Sequence, residues 1–231
     1  AALLHVMGGR DSDIAFRHRQ LVAGARQLSG WLVDAMPGTE TWLSLLDHWS
    51  PAGLVVGLGA AYLQRARLAL LSPATGDDVV DALRFLRPTY VFSTAAQVAA
   101  LLAVPQVLDR DLRSVRAWLV TDPMAEDLVQ QFEEMSGLEP CLGLALPCAA
   151  GLVTCCPIVG ERPSASAGLP LPSLDVRVTG SDGRDAKAGE VGWLQLRGPN
   201  VAPPDRWRDT RLPVRMDASG FVFVSNGPSQ P

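Results

Sequence analysis

Lysine is almost missing from this chain: Lys187 is the only one, and arginine carries nearly all the positive charge. An ammonium that grips phosphates or forms a Schiff base can therefore come only from that position. Cysteine is scarce as well. Cys141, Cys148, Cys155 and Cys156 are the only four, and they sit close together without C-x-x-C spacing. No common zinc pattern fits them, and His5, His18 and His48 are all distant in sequence. They read as small buried apolar side chains in a reducing compartment; a vicinal redox pair at Cys155 and Cys156 is the alternative. No apolar run approaches the roughly 18 residues that a spanning helix needs. The opening Ala1-Ala-Leu-Leu-His5 lacks the basic-then-apolar layout of a signal peptide. Cytoplasmic placement is the expectation, and the start reads as that of an excised or fused module. The net charge of −4, with both signs interspersed, excludes the clustered basic face that nucleic acid requires. There is no G-x-S-x-G elbow. A triad written from Ser50, His48 and Asp47 fails because adjacent residues on a strand face opposite ways.

What is present is an alternation of strand and helix patterns. Residues 1–7 read as a buried strand, followed by a polar loop. Residues 17–36 read as a helix, with Leu21, Ala25, Leu28 and Leu32 at three- and four-residue steps. A strand is expected at 41–46, a Gly- and Ala-rich helix from Pro51 to Gln64, and a strand at Arg67–Leu71. A helix follows at Asp77–Leu86, with acidic residues in its first turn, then a strand at Tyr90–Phe92. Ser93 is the expected cap of a helix running to Leu102. Val115–Val120 reads as a strand and Ala125–Met135 as a helix. This succession predicts an α/β fold, with a largely parallel sheet flanked by helices over residues 1–162. From Pro163 the texture becomes rich in Gly, Pro and Asp, with short strands at Asp175–Val178, Gly192–Leu196 and Gly220–Val224. Residues 163–231 read as a small β-rich subdomain, a distorted barrel.

The strongest motif is Gly168-Leu-Pro-Leu-Pro-Ser-Leu-Asp-Val-Arg-Val178, followed by Gly189-Glu-Val-Gly-Trp-Leu-Gln-Leu-Arg-Gly-Pro199. It resembles the "G-x-P-L-P-G-V-x-V-x-I … G-E-V-G-E-L-x-V-R-G-P" stretch of adenylate-forming (AMP-binding) acyl-activating enzymes. The resemblance extends backwards in order. Leu43 to Leu54 is similar to "L-S-x-L-P-L-x-H-x-x-G-L", Arg67 to Pro73 to "A-x-x-V-L-M-S-P" of fatty acyl-AMP ligases, and residues 16–21 to "L-T-H-R-N-L". The pattern of Glu40, Thr41, Leu46 and Asp47 before Ala52-Gly-Leu54 also resembles the divergent domains of the disco-interacting protein family.

The resemblance implies ATP and magnesium, which the residues do not support. The family's lysine-containing phosphate loop corresponds to the region of Gly8, Gly9, Arg10, Asp11, Ser12 and Asp13. That region has no lysine, and its two carboxylates would repel a polyphosphate. The family's "Y-G-x-T-E" falls within residues 141–150, which contain no hydroxyl and no carboxylate to ligate magnesium. The ribose-binding aspartate becomes Asn226, which keeps a hydrogen bond but loses the charge. The proline and histidine of "L-P-L-x-H" become Asp47 and Ser50. The resemblance therefore implies a vestigial nucleotide site at Gly8, Gly9, Ser12 and Asn226, and an acyl pocket at Ser50, Gly53, Gly143 and Ala149. No catalytic residue, no metal and no retained cofactor are expected. The functional expectation is an inactive pseudo-adenylating domain, acting as a scaffold or docking module within a larger acyl- or polyketide-assembly protein. Its partners would be neighbouring domains, and Trp193 is one candidate contact. The alternatives are a non-catalytic acyl- or adenosine-binding module, or an atypical acyl-adenylating ligase.

Overall fold

The computed structural model describes residues 4–6, 14–105 and 109–225. Strand β1 (Leu4–Val6) pairs antiparallel with β2 (Ile14–Phe16). After helix α1 (His18–Trp31) come β3 (Thr41–Ser44), a π-helix (Gly53–Gly59), α2 (Ala60–Leu63) and β4 (Arg67–Leu70). The chain continues through α3 (Gly76–Leu86), β5 (Tyr90–Ser93), α4 (Ala95–Leu102), α5 (Asp109–Leu112), β6 (Ala117–Val120) and α6 (Glu126–Ser136). Strands β7 (Cys141–Ala145), β8 (Leu152–Cys155) and β9 (Leu169–Pro170) complete a seven-stranded sheet in the order β4-β3-β5-β6-β7-β8-β9. Its first five strands run parallel, and the last two, β8 and β9, are added antiparallel. Strands β10 (Asp175–Thr179), β11 (Val191–Arg197), β12 (Arg208–Met216) and β13 (Val222–Val224) form a second, antiparallel sheet that curls as a half-barrel.

The parallel strands are covered on both faces, so their side chains are apolar in both directions rather than alternating. Leu43, Val91, Trp118 and Val120 pack on α3, α4 and α6 through Val79, Leu83, Leu101 and Phe132. On the other face, Trp42, Tyr90, Phe92 and Leu119 meet α1, the π-helix and α2 through Leu28, Val56 and Ala60. A third cluster fills the seam with the half-barrel, joining Phe16, Val55, Leu144 and Ala149 to Leu194, Leu196, Val214 and Val222. Asn200 is fully buried at this seam: its carbonyl accepts from Ala150 N at 2.8 Å, and its Nδ2 donates to Leu152 O at 3.3 Å.

Several boundaries differ from the sequence reading. Helix α1 ends at Trp31, because the next turn carries Asp34 to the Tyr90 hydroxyl, which donates to it at 2.6 Å. The helix expected over 51–64 is largely a π-helix. Its glycines press on neighbours: a Cβ on Gly53 would stand 2.0 Å from Asp47 O, and one on Gly57 would stand 2.6 Å from Ser44 Oγ. Thr94, not Ser93, caps α4, accepting from Gln97 N at 3.3 Å. Ser93 ends β5 and accepts from Trp118 Nε1 at 2.8 Å. Asp78, in the acidic first turn of α3, closes a capping box with Thr75, and the Thr75 hydroxyl holds its carboxyl below the usual range. Strands β2, β7, β8, β9 and β12 and helix α5 were not expected; β7 and β8 come from a run read only as apolar core.

Candidate functional site

In a parallel α/β sheet, ligands bind beyond the carboxyl ends of the strands. Here that edge comprises the turn after β3 (Leu45 to Ser50), the start of α4, the turn Thr121-Asp122-Pro123 after β6, and the segment Leu146 to Ala150 after β7. The polar groups in it serve the backbone. Gln97 Nε2 donates to Leu45 O at 2.6 Å, and the Asp122 carboxylate accepts from Ala95 N at 2.9 Å. Burial pushes the Asp122 carboxyl upward, partly offset by that hydrogen bond. The Ser50 hydroxyl donates to Asp47 O at 2.6 Å and accepts from Gly53 N at 2.9 Å. Two polar atoms of this edge lack a partner among the described residues, Ser44 Oγ and His48 Nδ1. Ser44 is fully buried beneath Gly57, and His48 packs on the exposed Trp49 with ring centroids 4.9 Å apart.

The segment after β7 is closed by packing. Cys148, Ala149 and Ala150 are buried, Ala149 bridges to Val201, and Ala150 N donates to Asn200 O. A Cβ on Gly24 of α1 would stand 1.9 Å from Ala150 O, and one on Gly151 would stand 2.8 Å from Val55 Cγ1. Only glycine allows helix α1, the π-helix and this segment to meet.

The four residues expected to line an acyl pocket are placed separately. Ser50 and Gly53 share the turn after β3, Gly143 lies within β7, where an added Cβ would stand 3.0 Å from Thr154 O, and Ala149 lies in the seam with the half-barrel. The five main surface cavities are lined by other residues. The largest, about 670 Å³, runs between α6 and the 162–166 segment. Its Arg162 already donates to the carbonyls of Pro157, Ile158 and Glu139. The expected nucleotide residues Gly8, Gly9, Ser12 and Asn226 lie outside the described residues, as do Arg10, Asp11 and Asp13. All four cysteines are buried, and none is in a disulfide. Burial pushes Cys141 up to about 11 and Cys156 up to about 12, and Cys155 well above its ordinary value. Among the described residues, no three His, Cys, Asp or Glu side chains gather as a metal site, and no helix is long and apolar enough to cross a membrane.

The model of the AMP-binding enzyme family matches residues 14–204, most of the chain. The chain belongs to the AMP-binding enzyme family. Among curated relatives, it is 32% identical over 115 residues to a long-chain-fatty-acid–CoA ligase of Yersinia pestis, covering 44% of this chain and 20% of that one. It is 29% identical over 169 residues to the indoleacetate–CoA ligase of Aromatoleum aromaticum, covering 64% and 32%. ATP-bound MatB from Rhodopseudomonas palustris superimposes with a TM-score of 0.83 at 19% identity, covering 96% of this chain and 47% of that one. The anthranilate–CoA ligase AuaEII, solved with anthranoyl-AMP, gives 0.83 at 18%, covering 96% and 46%. These structural likenesses establish the fold, an adenylate-forming one. The chain spans about a third or less of these curated relatives and under half of these structures.

The family's magnesium nucleotide can be tested against the donor set at this edge. Magnesium takes hard oxygen ligands. Residues 141–150 offer only carbonyls, several of them used within the sheet and the seam. Asp122 is half-buried, bound to the start of α4, and burial disfavours its charged form. Burial holds the Cys141 thiol protonated. Residues 141–150 thus offer no hydroxyl or carboxylate to a magnesium-bound polyphosphate, and the region of Gly8 to Asp13 lies outside the described residues. Two features of the edge had no clear sequence signal, the orphan Ser44 hydroxyl and the Asn200 clasp, because both arise from contacts across many residues.

Proposed function

We propose that this AMP-binding family domain does not adenylate, and that it serves as a scaffold or docking module for neighbouring protein domains. One observation carries the reading. The segment 141–150, at the strand ends where the family resemblance implies a threonine and a glutamate for the phosphates and the metal, has neither a hydroxyl nor a carboxylate. Its buried Cys148, Ala149 and Ala150 are committed to the seam with the half-barrel. Removing one preorganised donor costs about 10²–10³ in rate, and here the metal ligands and the loop lysine are absent together.

The test is acyl-dependent pyrophosphate exchange, run beside a thermal titration with Mg-ATP and with a non-hydrolysable acyl-adenylate mimic. A ligand present at about 100 times its Kd adds about 2.7 kcal/mol, a shift of about 5–10 °C for a domain of this size. The expected result is no exchange and no shift on a cooperatively melting sample. Exchange above background would overturn the reading. A shift without exchange would replace it with a binding module for acyl or adenosine ligands.

A further inference from the structure

We draw no further inference here: the strongest candidate, the surface cavity of about 670 Å³ between α6 and the 162–166 segment, carries nothing, because its Arg162 is spent on backbone carbonyls and the Glu126 and Glu133 carboxylates that line it have no second feature beside them that points to a ligand.

Discussion

The two ends of the parallel sheet are built differently. At the amino end, Glu40 is nearly fully buried and accepts from Met36 N at 2.9 Å, from the Thr89 hydroxyl at 2.6 Å and from the Arg116 guanidinium. Arg116 also lies over the Tyr90 ring, 5.2 Å from its centroid, and the Tyr90 hydroxyl donates to Asp34. Burial, then the bond to Asp34, push the Tyr90 phenol upward and keep it neutral. At the carboxyl end, where the chemistry of such sheets usually sits, the segment after β7 is leucine, proline, cysteine and alanine. The strongest electrostatic cluster of this sheet thus holds helix α1 and three strands together, far from the edge where a ligand would bind. Ionic groups in a family fold therefore need not mark its reaction centre; at this amino end they fix the register of the elements around them.

That contrast can be broken by experiment. The largest effect is expected from Glu40→Ala, which strands Arg116 and two donors. Removing one partner of a buried pair costs about 3–5 kcal/mol. Arg116 is 37% exposed, so a loss of about 3 kcal/mol in chemical denaturation is expected. Next comes Gly24→Ala, which drives a Cβ into Ala150 O and should cost about 2 kcal/mol by overpacking. An unchanged denaturation midpoint would mean that the carboxyl-end segment is not closed by this contact.

The thiols of β7 and β8 give a pH prediction. In the unfolded chain they ionise near their ordinary value of 9.0, whereas in the fold burial holds Cys141 to about 11 and Cys156 to about 12. Raised folded values mean that the unfolded state loses its protons first. Their contribution is therefore complete below pH 9 and is lost as pH rises from there towards 11 and 12. Denaturant melts across that window should show the decline, and it should shrink in Cys141→Ala measured against its own neutral-pH stability. The smallest effect is expected at the carboxyl edge itself. Asp122→Asn keeps an oxygen for Ala95 N and removes a charge that burial disfavours, so its stability change should stay within about 1 kcal/mol. A loss as large as that of Glu40→Ala would erase the contrast between the two ends.

Much of the fold was legible in the sequence. The alternation of apolar runs and amphipathic stretches gave the parallel sheet, and the paired motifs 168–178 and 189–199 became the neighbouring strands β10 and β11, joined antiparallel. Strands β7 and β8 escaped notice because short apolar runs have no period that separates strand from helix. The nine residues of β12 (Arg208–Met216) were hidden by their charges and by Pro213, on a sheet that buries one face only. The candidate site was legible chiefly as a set of residue types. No distance in sequence says that Gly24 meets Ala150, or that Asn200 clasps Leu152.

By itself, then, the sequence determined the family, the order of most of the helices and parallel strands, and the absence of hydroxyls and carboxylates along residues 141–150, since each of these is a property of residue type and local spacing. Only the tertiary structure decided that this segment is sealed against the half-barrel, and that Glu40 and Arg116 meet at the amino end. Those outcomes depend on how closely elements distant in sequence approach one another, and close approach is fixed by packing the whole core at once.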